Sequence, residues 1–149
     1  MLISIKKTIL LLLISSSLFA GSFFTLDNVK SLRIYMSAKT DIINPEQKDA
    51  LKDKLMKKLQ SAGFTFGEVD ATTFMIKIET IEVDDSNAIY VQIALGEEVT
   101  TSRSGNIKSF AFTYMANDFI ESEEPYQDIE ESLNFLITEF LESHKDDNE

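Results

Sequence analysis

The chain has 149 residues, of which 25 are acidic and 14 basic, and its net charge is −11 at pH 7. This charge excludes nucleic-acid binding by neutralisation of phosphates, which requires a basic surface. The chain contains no cysteine and one histidine, which excludes disulfide bonds and a thiol-linked lipid and leaves no ligand set for structural zinc. We therefore expect a domain stabilised by its hydrophobic core, with no metal and no cofactor.

Residues 1–22 have the pattern of a secretory signal peptide. Two lysines precede an apolar segment, residues 8–20, which small residues follow. That segment is shorter than the ~20 apolar residues that a spanning helix needs. Cleavage after Ser22 is favoured, with cleavage after Ala20 or an uncleaved anchor as alternatives. We expect a periplasmic or secreted protein, with no membrane-spanning segment in the mature chain.

The first strand and the first helix carry clear local signals. Residues 29–36 alternate between apolar and polar side chains, the period of a half-buried strand. Asn44, Pro45 and Gln47 have the spacing of a capping box with proline in the first turn. Gly63 is a typical residue at the end of a helix. The apolar stripe of this helix consists of Leu51, Leu55, Leu59 and Ala62.

Three more strands are predicted at residues 73–83, 88–101 and 107–115, and short polar turns connect them as a meander. In the first of these, the apolar phase changes near Thr80, which predicts a bulge or a sharp twist there. The last has three aromatic residues at alternate positions, which places them on one predicted face: Phe110, Phe112 and Tyr114.

A last helix is predicted to begin near Pro125, where acidic residues favour its positive end. Its apolar face consists of Ile129, Leu133, Leu136, Ile137, Phe140 and Leu141. The chain therefore predicts an α+β domain over residues 23–143, in the order β-α-β-β-β-α. The expected architecture is a four-stranded mixed sheet with both helices packed on one face. Residues 144–149 are expected to form an acidic tail with a solvated His144.

Catalytic signals are weak. The chain has no glycine-rich phosphate loop and no Gly-x-Ser-x-Gly turn. The acidic turn at residues 84–87 lacks the spacing of a calcium loop. Carboxylates are the remaining candidates, so a small hydrolase that uses Glu79, Glu121 and Asp128 is the least favoured of three functional hypotheses.

The leading hypothesis is a non-catalytic binding or assembly module. With both helices on one face of the sheet, the opposite face is left open for a protein partner, because arginine and tyrosine suit protein recognition. Its predicted residues are Arg33, Tyr35, Lys77, Glu79, Tyr90, Gln92, Ser109 and Thr113. An unpaired outer strand is a second possible contact, and we expect a monomer or a weak homo-oligomer. The alternative function is a carrier of an apolar ligand between sheet and helices, lined by Phe64, Phe66 and Phe119.

Two stretches resemble small domains of the bacterial envelope. The predicted first helix begins Asn-Pro-Glu-Gln at residues 44–47 and ends Leu-Gln-Ser-Ala-Gly-Phe at residues 59–64, and an apolar strand follows at residues 72–78. Such domains occur in the accessory lipoprotein of lipopolysaccharide transport and in the amino-terminal domain of the Tol–Pal propeller protein. The resemblance implies assembly or scaffolding with envelope proteins, and no catalytic residues. Unlike the lipoproteins, this chain lacks the lipid-bearing cysteine.

Overall fold

The structure, a computed structural model, describes residues 24–67, 72–83 and 86–149. The predicted signal peptide and the turn residues Asp84 and Asp85 lie outside the described residues. In chain order the elements are β1 (Ser31–Lys39), α1 (Pro45–Ser61), β2 (Thr65–Phe66), β3 (Thr72–Val83), β4 (Ser86–Thr100), β5 (Lys108–Ser122) and α2 (Pro125–Asn148).

The strands form one mixed sheet of five strands in the order β2-β1-β3-β4-β5. β1 is parallel to β2 and to β3, and the predicted meander of β3, β4 and β5 is antiparallel. The α+β class and the mixed sheet are confirmed, but the prediction of four strands is wrong. The additional strand, β2, pairs only Thr65 and Phe66 with β1, and a two-residue strand is too short to show a period.

The bulge predicted near Thr80 is also wrong. β3 pairs with β4 without a shift from Thr73 opposite Gly96 to Val83 opposite Ser86. The irregularity lies between β4 and β5, where Leu95 faces Tyr114 but the next residue, Gly96, faces Phe112. Thr113 is therefore the extra residue, and it turns Tyr114 to the opposite face from Phe110 and Phe112. The expected single aromatic face of β5 is divided between the two sides of the sheet.

Helix α1 forms where its local signals predict. The Asn44 side chain accepts a hydrogen bond from the Gln47 backbone N–H at 2.9 Å, and the Asn44 N–H donates to Gln47 Oε1 at 3.0 Å. At the other end the Phe64 N–H donates to the Leu59 carbonyl at 3.1 Å, next to Gly63 with φ of 98°. Both ends are thereby satisfied by their own neighbours.

Both helices contribute to one core on a single face of the sheet. That core contains inward side chains of β1, β3, β4 and β5 together with Leu51, Leu55 and Leu59 of α1 and the apolar face of α2. Ala62, expected in the apolar stripe of α1, is exposed. At its centre the Phe140 ring lies 5.1 Å from Phe74, 5.4 Å from Tyr114 and 5.6 Å from Phe64, measured between ring centroids. Lys54 of α1 pairs with Glu130 of α2 at 2.7 Å, so the helices lie side by side.

Residues 144–148, expected as part of an acidic tail, continue α2 as far as Asn148. His144 is half-buried rather than solvated: its Nε2–H donates to the Val29 carbonyl at 2.8 Å, and its ring lies 4.7 Å from Phe64. Asp147 Oδ2 accepts from the Leu26 N–H at 2.7 Å. The last turn of α2 is therefore joined to the segment that precedes β1.

Tyr114 makes the stability of this core decrease with rising pH in the alkaline range. Burial raises the pKa of Tyr114 above its ordinary value, nearby Glu139 adds to this, and a hydrogen bond with Ser143 opposes it. As the pH rises, the Tyr114 hydroxyl therefore loses its proton in the unfolded chain before it does so in the folded chain. The contribution of neutral Tyr114 to stability is complete below pH ~10 and is lost as the pH rises through the pKa of the folded state. We expect Tyr114→Phe to remove this part of the alkaline loss. Urea unfolding of both proteins from pH 8 to pH 11 measures it, and parallel losses in the two proteins would contradict it.

Candidate binding face

The face of the sheet opposite the helices brings the predicted binding residues together. We call it the open face. The register places Tyr35 beside Met75, Lys77 beside Gln92 and Glu79 beside Tyr90. All six residues of the main prediction lie on this face because they alternate with core residues along their strands: Arg33, Tyr35, Lys77, Glu79, Tyr90 and Gln92.

Ser109 and Thr113, also expected on the open face, are not part of it. Ser109 alternates with Phe110 along β5 and therefore points to the other side of the strand. Thr113 is the bulged residue, and within the described part of the chain its buried hydroxyl has no hydrogen-bond partner. The bulge thus corrects the prediction for β5, where simple alternation had been assumed.

A charged pair and two aromatic rings form a continuous row across the middle of the open face. Lys77 Nζ lies 2.8 Å from a Glu79 carboxylate oxygen and 5.6 Å from the centre of the Tyr90 ring. The Tyr90 ring in turn lies 4.8 Å from that of Phe119 on β5. The ion pair is partly exposed, and such pairs contribute at most about 1 kcal/mol. Its main effect is to fix the position of the Tyr90 ring.

The largest apolar side chains of the open face come from β5, and the sequence prediction missed them. Phe110, Phe112, Met115 and Phe119 are between 40% and 76% exposed. Phe110 lies directly over Gly96, where any Cβ would overlap the phenylalanine ring. The Phe110 ring can pack there only because residue 96 is a glycine. The alternation of Phe110 and Phe112 was visible in the sequence, but the bulge that decides their face was not.

Two grooves of opposite charge lie on the open face. The first, which we call the acidic groove, has a volume of about 650 Å³, and its lining includes Glu79, Ile81, Tyr90, Phe119 and Glu121. The second, the basic groove, has a volume of about 440 Å³, and its lining includes Tyr35, Lys39, Met75, Lys77 and Phe112. Each groove combines apolar walls with charges of one sign, an arrangement that suits an apolar side chain next to a group of the opposite charge.

Each of the three carboxylates proposed for catalysis has a partner of its own, although two of them, Glu79 and Glu121, line the acidic groove. Glu79 pairs with Lys77, Glu121 accepts from the Ser86 hydroxyl at 3.1 Å, and Asp128 on α2 accepts from the Ser122 hydroxyl. Among the residues that the structure describes, no group of three His, Cys, Asp or Glu side chains could hold a metal ion.

The aromatic residues proposed for an apolar ligand do not line a common space. Phe64 is buried in the core, Phe66 is partly buried against it, and Phe119 is on the open face. Between the helices the described residues leave a groove of about 130 Å³. That space is small beside the about 300–1,000 Å³ of ordinary ligand sites.

Over the described ranges, neither helix is long and apolar enough to cross a membrane. No model of a known protein family matches the chain, and no curated protein matches it.

Proposed function

We propose that the chain is an exported, non-catalytic binding or assembly module of the bacterial envelope, and that it acts through its open face. The observation that carries the proposal is the set of exposed aromatic side chains on that face, from Tyr35 on β1 to Phe119 on β5. Scattered apolar residues are normal on a protein surface, but a contiguous patch is typical of an interaction site. The signal-peptide pattern and the resemblance to envelope domains support the location.

The basic groove is the proposed centre of recognition. Tyr35, Met75 and Phe112 form its apolar walls, and Lys39 and Lys77 are its charged groups. Because Lys77 already pairs with Glu79, Lys39 is the cation of this groove that attracts an acidic group of a partner, in a chain whose net charge is −11. The partner is therefore a protein segment that places an apolar side chain in the basic groove and an acidic group beside Lys39.

Site-specific photocrosslinking in intact cells tests this proposal. Tyr35 and Phe135 are both 55% exposed, but Tyr35 is on the open face and Phe135 is on α2. With a photoreactive amino acid at position 35, we expect a reproducible adduct with another envelope protein, and none from position 135. Loss of an aromatic anchor from an interface typically costs at least about 2 kcal/mol, so Phe112→Ala is expected to weaken this binding about thirtyfold. The matched substitution Phe135→Ala is expected to leave the adduct unchanged.

Two results would contradict the proposal. One is equal crosslinking from positions 35 and 135, which would indicate nonspecific collision. The other is recovery of free monomer alone from position 35 at every expression level.

A carrier of an apolar ligand is the second candidate, because the acidic groove falls within the about 300–1,000 Å³ of ordinary ligand sites. Its place would be the open face and not the space between sheet and helices. An apolar molecule that co-purifies with the protein in native mass spectrometry, and is lost in Phe119→Asp, would favour this candidate.

A further inference from the structure

Strand β5 forms an edge of the sheet along its full 15 residues. Within the described ranges it pairs with β4 alone, so its other side presents backbone N–H and C=O groups to a further strand. Proteins usually protect such an edge with proline, charged side chains, bulges or a very short strand. β5 has no proline, one lysine and one bulge over 15 residues, whereas β2 at the opposite edge has two residues. β5 is therefore the edge suited to strand addition.

We propose that β5 pairs antiparallel with β5 of a second copy of this chain, about a two-fold axis at Met115. The two five-stranded sheets then become one continuous sheet, with both open faces on the same side. The pairing covers side chains of β5 that also belong to the open face, whereas Tyr35 and Lys39 are on β1, which β3 and β4 separate from β5. Photocrosslinking at position 35 and dimerisation of the purified protein can therefore fail separately.

The bulge at Thr113 is compatible with this register, and the pairs of side chains described next distinguish it from neighbouring registers. With Met115 opposite Met115, both methionine side chains lie on the open face. Tyr114 then faces Ala116 of the second copy, and both of these side chains lie on the core face. If Thr113 were counted as a paired residue, every pair from Phe112 onward would place an open-face residue opposite a core-face residue. Because Thr113 is the extra residue in each copy, Phe112 faces Asn117 of the second copy, and the sides match along the remaining length.

The pairs that result on the open face are complementary. Phe110 of one copy faces Phe119 of the other, and aromatic pairs across strands are stabilising. Lys108, which forms an ion pair with Glu98 of its own chain at 2.5 Å, faces Glu121 of the other copy, so each end of the pairing brings a lysine next to a glutamate. The four side chains that pair between the copies are all exposed in the single chain, and pairing covers apolar surface that is otherwise in water.

The core side of the pairing places no like charges together. Asp118 accepts a hydrogen bond from the Ser132 hydroxyl of α2 at 2.8 Å, and its neighbour in the second copy is Ala111. A single pair of strands buries less than the about 1,200 Å² of a standard stable interface. We therefore expect a weak dimer that forms at micromolar or higher concentration.

Cysteine crosslinking tests the register directly, because the chain has no cysteine of its own. Residues opposite each other in antiparallel strands have Cα atoms about 4.5–5.5 Å apart, within the about 4.4–6.8 Å that a disulfide spans. Met115→Cys is therefore expected to form a disulfide-linked dimer under mild oxidation of the purified protein. Phe119→Cys is the matched control: it is more exposed than Met115, yet the two copies of position 119 would be about 26 Å apart. We expect about tenfold less dimer from it.

A charge exchange provides the second test. Lys108→Glu is expected to shift the monomer–dimer equilibrium in analytical ultracentrifugation about fivefold toward monomer, since it puts like charges opposite each other. Adding Glu121→Lys in the same chain restores the pair and the dimer. Two outcomes would overturn the proposal: crosslinking of Phe119→Cys as fast as that of Met115→Cys, or a chain that stays monomeric at several hundred micromolar. Circular dichroism confirms that each variant is folded.

Discussion

Phe140→Ala is expected to lower the free energy of unfolding by about 3–5 kcal/mol. Phe140 is completely buried, and its ring contacts those of Phe74, Tyr114 and Phe64 at centroid distances of 5.1, 5.4 and 5.6 Å. Removing it loses the transfer free energy of the ring and leaves a cavity between Phe74 on β3, Tyr114 on β5 and Phe64. Since domains of this size are stable by about 5–15 kcal/mol, much of the stability would be lost. Urea unfolding followed by circular dichroism measures the change.

The control for this substitution is Phe135→Ala on the same helix. Phe135 is exposed on α2, and surface substitutions usually change stability by less than about 0.5 kcal/mol. Equal losses for the two variants would show that Phe140 does not occupy the centre of the core.

The second large effect is expected from truncation after Ser143. This removes three side chains that bond the segment before β1: His144, Asp147 and Asn148. They make four hydrogen bonds with its backbone, at 2.7 to 3.1 Å. Each such bond contributes about 0.5–1.5 kcal/mol, and the His144 ring also packs on Phe64. We expect a loss of about 3–5 kcal/mol, measured by thermal and urea unfolding.

A chain that lacks only Glu149 is the matched control for the truncation. Glu149 forms an exposed ion pair with Lys145 at 3.3 Å, which contributes at most about 0.5 kcal/mol. If residues 144–149 formed a solvated tail, as their composition suggests, both truncations would have the same small effect. A loss of less than about 1 kcal/mol on truncation after Ser143 would refute the structural role of these residues.

Elements with local signals were predictable from the sequence, and those that depend on pairing were not. α1 begins and ends where its capping box and Gly63 predict, because both signals act within a few residues. β2 exists only because β1 lies beside it, and Thr113 is bulged only relative to β4. Neither relation can be derived from the residues next to it in the chain.

The same distinction explains the candidate site. Residues such as Lys77 and Tyr90 were found because they alternate strictly with core residues along β3 and β4 and therefore point to the other face of the sheet. Phe112 was missed because one extra residue in β5 changes the side to which it points. Phe119 was missed because β5 extends to Ser122, beyond the predicted end of this strand at residue 115. The extension of α2 beyond Leu141 was also missed, since polar residues continue that helix only where the segment before β1 supplies their partners.

The bonds between α2 and the segment before β1 also order the folding of the chain in time. Asp147 and Asn148 lie more than a hundred positions from Leu26, so the ribosome must have synthesised both residues before these contacts can form. Until then the backbone N–H and C=O of Leu26 lack these two partners. The attachment of the segment before β1 to α2 is therefore a late event for a nascent chain.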